Sequence, residues 1–208
     1  MRARSGLLVA SALGAICAAG PAVGETRARA CYPESALGLL SNAEARVYRR
    51  DGDVYGCAVA TGQRRLLGSS YARGTSSSGG GGVTRVRLAG HYAAVVSVVE
   101  DYGRLAGITV HDLRTGRSVY RWEVGAGIAG IADDADVVLR VNGSVAFIEG
   151  VGGPAAGQPP KRLVVRRHDT RGSAILEDSQ TVGASSLSLS GRRVRWTSGG
   201  SPREATLR

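Results

Sequence analysis

The chain has 208 residues, 43% hydrophobic and 21% charged, with a formal net charge of +10. After the N-terminal segment no stretch approaches the roughly 20 apolar residues that a membrane helix needs, which excludes a bundle of membrane-spanning helices, and the length suits one domain with its own core. The basic residues are almost all arginine, with Lys161 the single lysine, and they are scattered. Scattered arginines with abundant Ala, Gly and Val fit the codon bias of a GC-rich bacterial genome. They weigh against a specific nucleic-acid partner and leave Arg-mediated binding of acidic polymers as a weaker alternative.

In chain order, Met1 to Gly24 reads as a secretory signal peptide with a signal helix. Arg2 and Arg4 form its basic start, Leu7 to Ala19 is an uncharged apolar run, and Ala22-Val23-Gly24 offers small residues for cleavage before Glu25. Its removal lowers the charge to +8, because residues 1–24 hold two arginines and no acid. The mature chain is then expected to be secreted, with no membrane span. Cys17 leaves with the signal, and Cys31 and Cys57 remain as an even pair. In an exported chain such a pair predicts a disulfide, here one that ties the N-terminal segment to the first hairpin, worth about 3 kcal/mol.

The rest, 25–208, reads as a single all-β domain. Ala45 to Tyr48, the turn Asp51-Gly52, Val54 to Val59, the turn Thr61-Gly62 and Gln63 to Leu67 make consecutive hairpins. Residues 69–82 are Ser/Gly-rich and read as a flexible loop. No Gly-Lys-Ser/Thr accompanies the glycines, so a phosphate-binding loop is not indicated.

Three segments then share one pattern, apolar positions on either side of a glycine turn. They are Val86 to Val95 around Gly90, Leu139 to Ile148 around Gly143, and Leu187 to Trp196 around Gly191. Val110-His111-Asp112 and Arg167-His168-Asp169 each enter a further turn. The sum is a β-propeller-like array of about four antiparallel meander blades, near 36–68, 83–124, 136–178 and 185–208. The first has a poorly matched innermost strand and the last lacks an outermost one, so an incomplete ring is expected. A lone meander cannot shelter its apolar face, and stacking supplies the cover.

The runs Ala45 to Gly68, Val110 to Arg117, Asn142 to Ile148 and Val194 to Leu207 resemble exported β-propeller-like proteins of GC-rich bacteria, in the style of WD40 and TolB-type repeats. The resemblance implies that fold and no activity.

Candidate chemistry is sparse. His91, His111 and His168 are the only histidines. The repeated His-Asp step reads as a turn cap before it reads as a base and its orienter. Asp133-Asp134-Ala135-Asp136 lacks the spacing of a calcium loop and reads as a solvated connection into the strand at Val137. Trp122 and Trp196 occupy apolar strand positions and read as core. Asn142-Gly143-Ser144 matches a glycosylation sequon and reads as a hairpin turn. No catalytic, cofactor or metal residue is assigned. The expectation is an exported, non-catalytic binding or interaction module for an unknown ligand or protein partner. The alternative is an extracellular enzyme acting on carbohydrate or a cell-wall polymer, its site assembled from several blades.

Overall fold

The computed structural model describes residues 30–31, 33–69, 81–99, 105–123, 136–151 and 162–208. The signal segment 1–24, residues 70–80, Asp133 to Ala135 and Lys161 lie outside the described residues. The described strands form four antiparallel sheets, each a meander in which every strand pairs with the next in the chain.

Sheet 1 holds β1 (Leu37–Ser41), β2 (Ala45–Arg50), β3 (Asp53–Ala58) and β4 (Arg64–Ser69). Sheet 2 holds β5 (Gly81–Ala89), β6 (Tyr92–Val99), β7 (Leu105–Asp112) and β8 (Arg117–Glu123). Sheet 3 holds β9 (Val137–Leu139), β10 (Val145–Val151), β11 (Arg162–Asp169) and β12 (Gly172–Ser179). Sheet 4 has three strands, β13 (Ser188–Ser190), β14 (Arg193–Ser198) and β15 (Ser201–Thr206). The all-β class and the four meanders follow the sequence, including the three-stranded last sheet. The loop boundary needs correction, since Gly81 and Gly82 open β5 and pair with Val99 and Val98.

Turn chemistry explains the hairpins. Arg50 pairs with Asp53, so Asp51 and Gly52 form a two-residue turn with φ of 52° and 83°. Positive φ at both positions is the turn whose twist matches that of the flanking strands. Ala89 pairs with Tyr92 and Ser190 with Arg193, which leaves two-residue turns at Gly90-His91 and Gly191-Arg192.

The third unit departs from this pattern. Leu139 pairs with Val145 and the Arg140 N–H bonds the Ser144 carbonyl, so the turn holds three residues, 141–143. Val141, expected as an apolar strand position, is 64% exposed there. Side chains alternate with a period of two, so a longer turn changes which residues face which neighbour. Phe147 and Glu149 meet Trp122 of sheet 2. The glycine-anchored repeat assigns that face to Ala146 and Ile148, the counterparts of Ala93 and Val95.

The sheets pack in chain order. Ala45, Val47 and Val54 of sheet 1 join Ala93, Val95 and Leu113 of sheet 2 in one apolar cluster. Sheets 2, 3 and 4 share a larger one containing Ile108, Val110, Phe147, Ile148, Val194 and Trp196. Fully burying each large side chain contributes about 1.5–3 kcal/mol. The first strands follow one another in space, β1 touching β5, β5 touching β9, and β9 touching β13. β10 is buried along Val145 to Gly150, as befits a strand covered on both faces. β14 alternates instead, with Val194, Trp196 and Ser198 buried and Arg193, Arg195 and Thr197 exposed. Sheet 4 therefore has one covered face.

The outer face of sheet 1 is closed differently. Cys31 is joined to Cys57 of β3 by a disulfide, with Cα atoms 5.3 Å apart, as the cysteine count predicts. Both cysteines are fully buried with Tyr48, and Ala36 and Tyr55 pack beside them. The rings of Tyr48 and Tyr55 stack at 5.6 Å. The bond thus holds the N-terminal segment over aromatic surface that sheet 1 would otherwise leave wet.

Candidate functional site

The densest polar cluster lies where the turns of sheets 1 and 2 meet. Asn42 begins it. Its Oδ1 accepts from the backbone N–H of Glu44 and Ala45 at 2.8 and 2.9 Å, closing an Asx turn that aims Glu44 at sheet 2. Its Nδ2 donates to the Gly90 carbonyl at 2.9 Å. His91 follows Gly90 and sits between two carboxylates. Its Nδ1 is 3.0 Å from Glu44 Oε2, and its Nε2 is 3.8 Å from Asp112 Oδ1. Arg114 also reaches Glu44 Oε2, at 3.1 Å. Asp112 Oδ1 accepts from the N–H of Arg114 and Thr115. Burial would raise the Asp112 carboxyl, but the bonds from Thr115 and Arg114, with His91 nearby, hold it below its ordinary value.

This cluster is an inter-sheet clamp with a histidine at its centre. The two carboxylates approach opposite ring nitrogens, so they cannot converge with the imidazole on one cation. Among the described residues no group of three His, Cys, Asp or Glu is placed to hold a metal.

The other two histidines lie elsewhere. His111 on β7 faces Ser118 on β8, and His168 on β11 faces Ser173 on β12. Each pair is hydrogen-bonded, at 3.3 and 3.0 Å. His111 is 7% exposed, and its Nδ1 also accepts from Arg65 Nε of sheet 1 at 3.1 Å. Burial first, then Arg65 and Arg121, lowers its pKa from 6.5 to about 4. Its ring is therefore neutral at physiological pH and serves as an acceptor. His168 stacks on Tyr120 of sheet 2 with ring centroids 4.0 Å apart. Burial lowers its pKa, against the pull of Asp169.

The repeated His-Asp step therefore divides its labour. The Asp alone caps the turn, as Asp169 Oδ1 accepting from Arg171 N–H repeats, while the His pairs with the opposite serine and bridges to the preceding sheet. The three histidines do not share a site. Cavities of about 360 and 340 Å³ lie apart from them, one lined by Gly38 to Ser41 and Arg46, the other by Leu176, Glu177, Trp196 and Arg203 to Ala205.

Both tryptophans pack against the larger apolar cluster, and each has a polar partner across a seam. Trp122 Nε1–H donates to Glu149 Oε2 of sheet 3 at 2.8 Å. Arg166 bonds the other oxygen of Glu149 and lies 4.4 Å over the Trp122 ring. Trp196 Nε1–H donates to Glu177 of sheet 3. Burial would raise Glu177, but bonds from Ser198 and Trp196, with Arg203 nearby, hold it low.

Asp136 is not a solvated linker residue. One carboxylate oxygen pairs with Arg85 of sheet 2 at 3.8 Å, and the other accepts from Leu187 N–H ahead of sheet 4 at 3.1 Å. The Asn142-Gly143-Ser144 turn is likewise engaged. Asn142 Oδ1 accepts from Ser144 N–H, and the buried Ser144 hydroxyl donates to the Arg208 carbonyl. Glu44, Glu149, Glu177 and Arg166 have no motif around them. Glu149 alone carries a sequence signal, a lone acid in the run Val145 to Val151.

The chain matches no protein-family model and no curated protein.

Proposed function

We propose that this chain is an exported, non-catalytic binding module carried on an open β-propeller-like array. The observation that carries the reading is the use made of its reactive side chains. His91, His111, His168, Glu149, Glu177 and Asp136 all hold one sheet to another. Such groups are rigid and already engaged, which suits a scaffold better than proton transfer. The consecutive first strands and the meander order support the propeller-like arrangement. The two differently closed outer faces support an array that stays open. A buried disulfide is compatible with an oxidising, extracytoplasmic compartment.

The purified chain from Glu25 onward, presented with a panel of cell-wall polysaccharides, acidic polymers and extended peptides, tests this reading. Retention of one class without chemical change is expected. Turnover of a polymer, abolished by His91→Gln, would overturn it in favour of an extracellular enzyme acting on carbohydrate or cell-wall polymer.

A further inference from the structure

Sheet 4 exposes Arg193, Arg195 and Glu204 on one face, and the residues around them are a specific set. In sheet 2 the positions directed at the next sheet are Tyr92, Ala94 and Val96, with the Tyr92 ring against Gly143. The matching positions of β14, reached from the same two-residue turn, are Arg193, Arg195 and Thr197. Register places Ser190, Arg193 and Thr206 in one row across the sheet and Ser188, Arg195 and Glu204 in the next. Neighbouring strands lie about 4.8 Å apart and alternate residues about 6.8 Å apart, so Arg193 stands between the hydroxyls of Ser190 and Thr206, and Arg195 beside it between Ser188 and Glu204. Both lean on one carboxylate. Arg193 Nη1 is 3.4 Å from Glu204 Oε1, and Arg195 Nε is 3.3 Å from Oε2, with side chains 63%, 53% and 51% exposed. Two cations on one anion leave a positive charge over.

From this we propose that the outer face of sheet 4 binds phosphate or sulfate esters borne in series on an extended acidic polymer. This rests on the binding-module reading above and names its surface and ligand class. A guanidinium fork matches the oxygens of such esters, and the flanking hydroxyls can donate to the remaining oxygens. Glu204 is an internal competitor that the polymer displaces. The face, not the edge, is what the sheet offers. Leu207 N–H bonds the Arg192 carbonyl, which makes Arg193–Thr206 a pair without mutual hydrogen bonds. Counting back in twos gives Pro202 the same status, so the N–H that proline lacks is one that would point off the free edge of β15. A partner strand would find that edge short of a donor. The outer face of sheet 1 is partly covered by the Cys31 segment, which packs on Tyr48 and Tyr55.

The test is binding of the mature chain to immobilised heparin and to poly(glycerol phosphate) across a salt series. Arg193→Gln with Arg195→Gln should weaken binding about ten-fold and flatten the salt dependence by roughly two ionic contacts. Glu204→Gln should strengthen binding several-fold, because it frees both arginines. Arg117→Gln with Arg171→Gln removes the same charge from exposed positions on other sheets and should change affinity little. Equal losses in the two double variants would reduce the effect to net charge and overturn the proposal. So would an unchanged Arg193/Arg195 variant, or competition by free inorganic phosphate as effective as that by polymer. Absence of binding to either polymer at low salt would also overturn it, whereas the module reading is decided separately by the wider ligand panel. Circular dichroism of each variant confirms the fold.

Discussion

His111 gives this protein a defined sensitivity to acid. Its ring is buried and neutral, with Nδ1 accepting from Arg65 and Ser118. Protonation would place a second cation against Arg65 in a poorly solvated site, and the pKa falls from 6.5 to about 4. As pH drops below 6.5, the unfolded chain takes up a proton that the folded chain refuses until about pH 4. The stabilisation is complete above 6.5 and is lost progressively as pH falls toward 4. Each unit is worth about 1.4 kcal/mol, so the full window holds about 3 kcal/mol, of which about 2 kcal/mol is gone by pH 5. Asp112, Asp169 and Glu177 have lowered pKa values, and their contribution is lost only further down, below their ordinary values near 4. Urea unfolding at pH 7.5 and pH 5, read by circular dichroism, isolates the effect when His111→Asn is the comparison. Asparagine keeps an acceptor for Arg65 and cannot titrate. The variant should be less stable at pH 7.5, yet lose about 2 kcal/mol less than the native chain on acidification. His168, whose pKa is also lowered, is common to both proteins and cancels. Equal acid sensitivity in the two proteins would refute the assignment of His111 as a buried neutral acceptor.

Other expectations concern the seams and turns. Replacing Cys31 and Cys57 by serine opens a link between residues 26 apart and should cost about 3.5 kcal/mol in the chain-entropy estimate, read as a shift in denaturant midpoint. In protein recovered from culture medium, peptide mapping should find Cys31 linked to Cys57 and a chain that starts at Glu25; free thiols there would count against export. Trp122→Phe keeps the ring but strips Glu149 of a donor, and should destabilise by about 2 kcal/mol in thermal unfolding. Gly143→Ala should cost more than Gly191→Ala. Both glycines have positive φ, but a Cβ at Gly143 would meet the Tyr92 ring at 3.0 Å, whereas Gly191 faces open space. About 1 kcal/mol of backbone strain is common to the two, and the difference between them measures how firmly sheets 2 and 3 are pressed together.

What could be read from the sequence follows from how local each determinant is. Asp51-Gly52 and the two-residue turns at Gly90 and Gly191 are set by a few adjacent residues, so the meanders and their number are legible. Cysteine pairing is legible because Cys31 and Cys57 are the two cysteines beyond the expected signal segment. The third unit misleads because Gly143 has the positive φ of its counterparts yet closes a longer turn, and one glycine cannot report turn length. The seams are the least legible part. Glu44 reaches His91 over 47 positions and Arg65 reaches His111 over 46. Packing one sheet against the next creates those contacts, and no short motif encodes them. Sequence reasoning found the shared position of His111 and His168, and the expectation of a repeated structural role follows from it. It missed that the serine across the hairpin, not the adjacent aspartate, is the bonding partner.

Sheets 2 and 4 fill corresponding positions with opposite kinds of side chain. Interior positions such as Ala94 and Val96 are small or branched, which lets neighbouring sheets come close, and at Gly56 a Cβ would lie 2.6 Å from Leu113. Close approach leaves little apolar depth, so the outer parts of the seams are held by oriented polar contacts such as Trp122 with Glu149 and Arg65 with His111. In sheet 4 the corresponding positions carry Arg193, Arg195 and Thr197, all exposed. A polar outer face is the general requirement for ending a stack of repeats. Neutral hydroxyls would satisfy it. Two arginines on one shared carboxylate exceed it, and that excess is what the proposed polyanion would use. The response to Glu204→Gln tests this, because a cap gains nothing from losing its carboxylate.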